Sequence, residues 1–266
     1  MHRQQANILV SSDHGTMIVN RFDYRMSDEK SGIGVGWQLM NSGQYDWNEV
    51  ELLKLALKHR LKSYGDGVVA IDCGANIGVH TIEWARLLND RGAVLSLEPQ
   101  EHVFYALCGN IAINNCFNVK ALNFAAGDAN TLIEIPKPNY FWPSSFGSLE
   151  LRQGSDSENI GQDLEDSAKV EQIALDSLQL SRLDLLKIDV EGMEFEVIAG
   201  AEQTIREHKP QMLVEYIKID ASRMQKLLKG WGYHVYQLGG NFFAVHRSDH
   251  MASKCSLADG HLNIQS

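Results

Sequence analysis

The sequence predicts a doubly wound α/β fold, in which helices cover both faces of a mostly parallel sheet. From residue 67 onward, short apolar runs typical of buried strands alternate with segments whose apolar residues recur at helical spacing. A Gly-rich turn follows the first of these strands, as in folds that bind a ligand at the carboxyl end of a sheet. Gly239-Gly240 joins the last two strands and predicts an antiparallel hairpin at the end of the core.

The core elements are predicted in a regular order of strand and helix. The strands are expected at 68–71, 93–97, 119–124, 185–189, 212–215, 233–238 and 241–246. The helices are expected at 77–88, around 103–111, at 194–206 and at 221–228. Before the core, Asp46 is expected to cap a helix whose apolar residues run from Trp47 to Leu61.

The chain divides into three predicted regions. They are a small N-terminal β extension at residues 1–45, a core domain at 46–247 and a polar tail at 248–266 that we expect to be mobile. Within the extension, Gly32-Ile33-Gly34-Val35-Gly36 has neither a predicted strand before it nor a predicted helix after it. We therefore expect a flexible loop at these glycines.

Two segments interrupt the predicted core. Residues 136–149 carry three of the five prolines together with Tyr140, Phe141, Trp142 and Phe146. This aromatic segment is predicted to be either the edge of the core or a lid over a substrate. Residues 154–168 are acidic with little apolar content, and we expect a solvated loop there.

The charge balance opposes a nucleic-acid-binding protein, which needs a cationic surface. The chain has 24 Lys and Arg against 34 Asp and Glu, a net charge of −10. Its longest uncharged stretch, 103–119, contains four Asn and is too polar to cross a membrane. The N-terminus lacks the apolar segment of a signal peptide, and the four cysteines lack metal-ligand spacing. We therefore expect free thiols and a cytoplasmic location.

A ligand-binding loop is predicted at Asp72-Cys73-Gly74-Ala75-Asn76-Ile77-Gly78, between the first core strand and its helix. Its glycines let the backbone approach a ligand, and the helix N-terminus presents free N–H groups. The dinucleotide pattern G-x-G-x-x-G is absent, because Asn76 and Val79 stand where it requires glycine. The phosphate-binding P-loop is absent too. Asp72 would repel a pyrophosphate and suits a ligand with a cationic amino group.

Two further carboxylates define the rest of this ligand. Glu98 ends the second strand, 26 positions after Asp72, and can accept hydrogen bonds from both hydroxyls of a ribose. Asp128 follows the third strand and could accept a hydrogen bond from an adenine amino group. An amino acid, a ribose and an adenine together describe S-adenosylmethionine.

With these residues the chain resembles the FkbM-type family of S-adenosylmethionine-dependent methyltransferases. The matching stretches are IDCGANIGVHT, SLEPQEHVFYAL, FAAGD, LDLLKIDVEGMEFEVIAGA and MLVEY, which cover about residues 67–128 and 170–217. The resemblance implies that residues 46–247 form a class I methyltransferase domain with a Rossmann-like, seven-stranded sheet. It also implies methyl transfer to a hydroxyl of a small molecule or sugar. The cofactor contacts are expected at Asp72, Gly74, Asn76, Gly78, Glu98, Pro99 and Asp128.

Catalytic residues are predicted in the run Lys187-Ile188-Asp189-Val190-Glu191-Gly192. Strand alternation puts Lys187 and Asp189 on one face, with Asp189 at the carboxyl end where ligands bind in such sheets. Asp189 is either half of a structural Lys–Asp pair or a general base, and Glu191 is expected at the rim. His80 is an alternative base. Asp189 and Glu215 could share a divalent ion, but no Asp-Asn pair follows on the second strand, so no metal is expected.

Two other functions stay open at this point. The chain could be a non-catalytic module that only binds S-adenosylmethionine. It could also be a nicotinamide-dependent oxidoreductase, although Asn76 and Val79 disfavour that function. A nucleic-acid acceptor is not expected, because the sequence contains neither a Pro-Pro nor a Pro-Cys pair.

Overall fold

The N-terminal part of the chain forms two small antiparallel hairpins followed by two helices. The computed structural model describes residues 5–28, 31–154, 157–258 and 261–264. In the N-terminal part, the first strand pairs with the second, and the two-residue third strand pairs with the fourth. The elements are β1 (Asn7–Ser12), β2 (Gly15–Asn20), β3 (Arg25–Met26), β4 (Gly32–Ile33), α1 (Val35–Ser42) and α2 (Trp47–Tyr64). Asp46 precedes α2 as predicted, but its side chain makes no capping hydrogen bond.

The prediction of a flexible loop at Gly32–Gly36 is wrong, because the chain forms β4 there and begins α1. The buried carboxylate of Asp23 accepts hydrogen bonds from the backbone N–H groups of Gly36 (2.8 Å) and Phe146 (3.0 Å). It thereby joins the start of α1 to a distant loop. Burial raises the pKa of Asp23 to about 6, since these two hydrogen bonds offset the loss of water only in part.

The core is a seven-stranded sheet in the order β13-β14-β12-β11-β5-β6-β7, in which β14 runs in the opposite direction to the other six strands. The predicted fold class, with its C-terminal hairpin, is therefore confirmed. The strands are β5 (Val68–Cys73), β6 (Gly92–Leu97), β7 (Val119–Leu122), β11 (Leu185–Ile188), β12 (Gln211–Glu215), β13 (Tyr233–Leu238) and β14 (Asn241–His246). Two apolar cores lie on the two faces of this sheet.

Helices cover both faces, as the alternation of strands and helices predicts. They are α3 (Val79–Leu88), α4 (Glu101–Ile113), α5 (Glu194–Gly200), α6 (Glu202–His208) and α7 (Ala221–Gly230). The helix predicted at 194–206 is therefore two helices that meet at Ala201. No helix in the described ranges is both long and apolar enough to cross a membrane. All four cysteines are free thiols, as expected.

A second, three-stranded sheet departs from the sequence prediction. Its strands are β8 (Phe124–Ala126), β9 (Thr131–Lys137) and β10 (Asp166–Ile173), with β10 in the middle. The strand predicted at 119–124 divides at Asn123, whose side-chain amide donates to the carbonyls of Glu98 (2.8 Å) and Pro99 (3.1 Å). The acidic loop predicted at 154–168 is a strand from Asp166, and its residues 155–156 lie outside the described residues.

The region after Ser248 packs against the core, so the predicted mobility of this tail is wrong for its described residues. Met251 is fully buried, and Asp249 Oδ2 lies 2.7 Å from the buried guanidinium of Arg60. A buried guanidinium is costly without a carboxylate partner, which explains why this polar segment is held in place. The last strands, β15 (Cys255–Ala258) and β16 (His261–Ile264), form a hairpin.

Candidate active site

A cavity of about 390 Å³ opens at the carboxyl ends of β5, β6, β11 and β12. Its wall brings together most of the residues that the sequence predicts for the site. These are Gly74, Asn76, Gly78, His80, Glu98, Pro99, Asp189 and Glu191. The parallel strands end at the same edge of the sheet, and this edge therefore collects residues that are far apart along the chain.

The glycine loop after β5 is shaped by close backbone contact. Gly74 has a φ of 76°, and a Cβ atom there would lie 1.8 Å from the carbonyl oxygen of Asp189. Gly78, with a φ of 93°, leads directly into α3. The N–H groups at the start of α3 have no partner within the helix, and Val79 and His80 line the cavity. This arrangement suits the carboxylate of an amino acid.

Glu98 forms the part of the cavity that fits a ribose. Its two carboxylate oxygens accept hydrogen bonds from the backbone N–H groups of Asn76 (3.0 Å) and Gln100 (2.8 Å). Burial raises the pKa of Glu98 to about 7, although these two hydrogen bonds act in the opposite direction. Each oxygen of a carboxylate has two lone pairs, so Glu98 keeps acceptor capacity for ribose hydroxyls.

Asp72 and Asp128, both predicted to contact the cofactor, do not line the cavity. Asp72 lies beneath the glycine loop, where its Oδ2 accepts a hydrogen bond from the Thr81 hydroxyl (2.7 Å) and its Oδ1 lies 3.8 Å from Lys187 Nζ. In this position Asp72 supports the glycine loop, and its contact with the cofactor stays a prediction. Asp128 is exposed because the chain leaves the main sheet at β8, and Ala125 and Ala126 line the cavity instead.

Lys187 and Asp189 form the ion pair that strand alternation predicts. Lys187 Nζ lies 2.9 Å from Asp189 Oδ2, and its side chain is almost fully buried, whereas Asp189 is 29% exposed. Two carboxylates, Asp189 and Asp72, raise the pKa of Lys187 and outweigh the effect of burial. The ammonium therefore stays charged and holds Asp189 on the cavity wall.

Three carboxylates, Asp189, Glu191 and Glu215, meet at this wall, with oxygens within 4.8 Å of one another. Lys218, which the sequence analysis did not single out, pairs with Glu191 at 2.6 Å. Glu215 Oε2 is buried without a hydrogen-bond partner. Burial, followed by the charges of Asp189 and Glu191, raises the pKa of Glu215 to about 9. Burial and the neighbouring charges therefore favour the protonated form of Glu215 in this cluster.

Glu215→Gln should stabilise the protein increasingly as pH rises. The pKa of the Glu215 carboxyl is raised from 4.5 to about 9 in the folded protein. The contribution of this carboxyl to the free energy of unfolding is therefore highest at low pH and falls between pH 4.5 and about 9, because the folded protein must then hold a buried charge. We expect a gain in melting temperature of about 2–4 °C at pH 8.5, equivalent to roughly 1 kcal/mol, and little change at pH 4.5. Glu202→Gln is the matched surface control, since Glu202 is about half exposed. An equal effect of Glu215→Gln at both pH values would contradict the assignment.

The outer wall of the cavity comes from segments whose role the sequence left open. Ile33, Val35, Gln38 and Tyr45 of the N-terminal part line it, although the glycines beside them were interpreted as a flexible loop. In the aromatic segment, Tyr140 and Phe146 are buried, as expected of a core edge, while Ser145 and 147–149 line the cavity. Contacts of these segments are long-range in sequence, so no local pattern predicts them.

Comparison with known proteins places the chain in a family. The sequence profile described as "Methyltransferase FkbM domain" matches residues 72–235, which is 164 of 266 residues. Methyltransferase sdnD from Sordaria araneosa is 26% identical over 196 residues, covering 62% of this chain and 73% of that protein.

Solved structures of methyltransferases resemble the chain at low identity. Methyltransferase FkbM from Methylobacillus flagellatus KT is 15% identical with a TM-score of 0.47, covering 68% of this chain but only 43% of that one. The chain thus spans less than half of that protein. TYW2 from M. jannaschii, solved in complex with AdoMet, is 14% identical with a TM-score of 0.39, covering 92% of this chain and 86% of that one. On the extent of the profile match, the chain belongs to the FkbM family of methyltransferases, and its methyl donor is S-adenosylmethionine.

Proposed function

We propose that this methyltransferase acts on a hydroxyl oxygen of a small molecule or sugar. The observation that carries the proposal is the cavity itself, which joins the glycine loop and Glu98 to side chains that can take up a proton. A hydroxyl is a weak nucleophile until its proton is removed, so a base on the wall suits this acceptor. Asp189 and His80 are the two candidates on that wall.

The donor side of the cavity is assigned to the glycine loop and the end of β6. The free N–H groups at the start of α3 would hold the methionyl carboxylate, and Glu98 would accept from the ribose hydroxyls. Gly74, Asn76 and Gly78 shape the loop, and Pro99 adds an apolar contact beside Glu98. S-adenosylmethionine, when bound, supplies a methyl group on a positively charged sulfur.

The acceptor side is lined by apolar and acidic residues. Ile33 and Ile217 are 42% and 67% exposed and present apolar surface to an acceptor. Five carboxyl groups and two ammonium groups line the whole cavity, and each ammonium is paired with a carboxylate, which disfavours an acceptor that carries phosphate. These charged residues are Glu98, Glu158, Asp189, Glu191 and Glu215, with Lys187 and Lys218. Glu191, held by Lys218, is placed to orient the acceptor at the rim.

Methyl transfer from isotope-labelled S-adenosylmethionine tests this proposal. The protein is incubated with ¹³C-methyl-labelled donor and a panel of sugars, phenols and aliphatic alcohols, and S-adenosylhomocysteine is measured by chromatography. The ¹³C chemical shift of the product then separates an O-methyl group from an N- or C-methyl group. A product methylated on nitrogen or carbon contradicts the proposal. Donor binding without turnover of any acceptor favours the non-catalytic binding module.

Glu98→Gln should weaken donor binding about 10–100-fold, because charge-assisted hydrogen bonds to the ribose become neutral ones. Gln keeps the side-chain length, and its amide oxygen can still accept from one backbone N–H. Isothermal calorimetry with S-adenosylhomocysteine measures the loss. Glu101→Gln is the matched control, since Glu101 is exposed in the next helix and does not line the cavity. An unchanged affinity in Glu98→Gln removes the ribose assignment.

A cytoplasmic location stays a prediction, with which the four free cysteines agree.

A further inference from the structure

We infer that Glu49 is a positioning residue for His80, and that the imidazole held in this way takes the proton of the acceptor hydroxyl. The inference rests on the proposed function and names the group that performs its proton transfer. Glu49 lies 31 residues before His80 in the sequence, on a different helix, and no sequence motif links the two residues.

The geometry places one ring nitrogen of His80 against a carboxylate. His80 is 5% exposed, lies in the first turn of α3 and lines the cavity. Its Nε2 atom lies 3.1 Å from Glu49 Oε1, and its ring packs edge-on against Trp84 at 5.7 Å between centroids. In the described part of the chain, Nδ1 has no hydrogen-bond partner.

The carboxylate of Glu49 is itself fixed by a hydrogen bond from another element. Its Oε2 atom accepts a hydrogen bond from the side-chain amide of Asn241 (2.8 Å), the first residue of β14. Burial would raise the pKa of Glu49, but the contact with His80 and the charge of Lys187 outweigh burial and lower it. Glu49 is therefore an ionised carboxylate with one oxygen fixed and the other facing the imidazole.

An ionised carboxylate at Nε2 decides where the imidazole carries its proton. It favours the tautomer with the proton on Nε2, which leaves Nδ1 free to accept a proton. The 3.1 Å contact is an ion pair by distance, although Nε2 is not aligned for a hydrogen bond. Contacts of this kind tighten when the substrate fills an active site.

Two of the three competing carboxylates on the wall, Asp189 and Glu191, are already engaged by lysines, and burial favours the protonated form of the third, Glu215. Asp189 Oδ2 accepts a hydrogen bond from Lys187 Nζ at 2.9 Å, and Glu191 Oε2 lies 2.6 Å from Lys218 Nζ. Each lysine occupies one oxygen of its carboxylate, whereas Nδ1 of His80 has no hydrogen-bond partner among the described residues. His80 faces carboxylates rather than an ammonium group. The charges of Glu49 and Asp46 act on it from the start of α2, while Lys187 of β11 acts on Glu49.

Methyl transfer balances with His80, Glu49, the acceptor and the methyl donor. The acceptor oxygen forms a bond to the methyl carbon, and the carbon–sulfur bond breaks with its electron pair remaining on sulfur. The hydroxyl proton moves to Nδ1 of His80. Glu49 stabilises the imidazolium that results, because its negative charge lies next to Nε2.

The variant that tests the inference is Glu49→Gln. Gln has the same length and can still accept from Asn241 through its amide oxygen, but it carries no charge. We expect kcat to fall about 10–100-fold with the KM for the donor unchanged, and the acid limb of the pH–rate profile to move to lower pH, because a negative charge beside the imidazole is lost. Glu51→Gln is the matched control, since Glu51 is on the same helix, pairs with Lys54 at 2.7 Å and is 41% exposed.

An NMR titration of the His80 imidazole adds a readout that needs no acceptor. Its resonances are assigned by their loss in His80→Asn, and their midpoint should move to lower pH in Glu49→Gln but not in Glu51→Gln. An unchanged midpoint and pH profile in folded Glu49→Gln overturn the positioning role alone. Absence of methyl transfer by the wild-type protein overturns the proposed function. If Glu49→Gln does not fold, Glu49→Asp retains the charge on a shorter side chain, and an unchanged kcat there overturns the inference.

Discussion

Gly74→Ala should unfold the cofactor loop and abolish donor binding. The new Cβ atom would lie 1.8 Å from the carbonyl oxygen of Asp189, a backbone atom that cannot move without shifting the end of β11. Alanine also disfavours the left-handed conformation that Gly74 adopts, by about 1 kcal/mol. The strained backbone conformation and the steric overlap together should lower the free energy of unfolding by about 2–5 kcal/mol.

Gly43→Ala separates the two causes of this loss. Gly43 has a φ of 71°, close to the 76° of Gly74, but nothing lies within 4 Å of a Cβ atom there. We expect Gly43→Ala to cost about 1 kcal/mol and to leave donor affinity unchanged. Thermal unfolding and calorimetry with S-adenosylhomocysteine measure both effects. Equal losses in the two variants would show that backbone strain alone, rather than contact with Asp189, explains the requirement for glycine.

His80→Asn should lower kcat about 10²–10⁴-fold and remove the acid limb of the pH–rate profile. Asn keeps a polar side chain on the wall but cannot take up the proton. Donor affinity should stay within about threefold, because the backbone N–H groups at the start of α3 are unchanged. Initial rates between pH 5 and 9, measured with a saturating donor, provide the profile.

Comparison of Asp189→Asn with His80→Asn decides which of the two residues is the base. Asp189→Asn should also reduce kcat, since the acceptor loses an oriented carboxylate, but the acid limb should persist. Donor affinity should fall about tenfold, because the buried ammonium of Lys187 loses its closest partner and leaves positive charge on the wall. If the acid limb instead disappears in Asp189→Asn and persists in His80→Asn, Asp189 is the base. Asp66→Asn, at an exposed ion pair with Arg91, is the matched control.

The part of the fold that could be predicted is the part that local patterns encode. The strands β5, β6, β11 and β12 are apolar runs, each followed by helical spacing, and Gly239-Gly240 marks the final hairpin. The second sheet was missed because about half of the residues of β9 and β10 are exposed, and the apolar alternation is short, limited to Ile133 and Ile135 in β9 and to Ala168 and Val170 in β10. The extra strands therefore left no clear pattern in a segment rich in charge.

The candidate site was predicted unevenly for a related reason. Residues at strand ends, such as Glu98 and Asp189, follow from the topology of parallel sheets. The contacts of Asp72 with Thr81 and Lys187 could not be predicted, because a sequence does not show where a buried side chain turns. Glu49 escaped notice because its partner His80 belongs to another helix.

Part of the outer wall of the cavity comes from a segment that lies outside the family profile. The family profile begins at Asp72, whereas Ile33, Val35, Gln38 and Tyr45 reach the cavity from the chain before it. Asp23 joins that leading segment to the loop at Phe146 through one carboxylate. In the proposed function, a change in the leading segment would therefore alter the acceptor side while leaving the glycine loop and Glu98 unchanged.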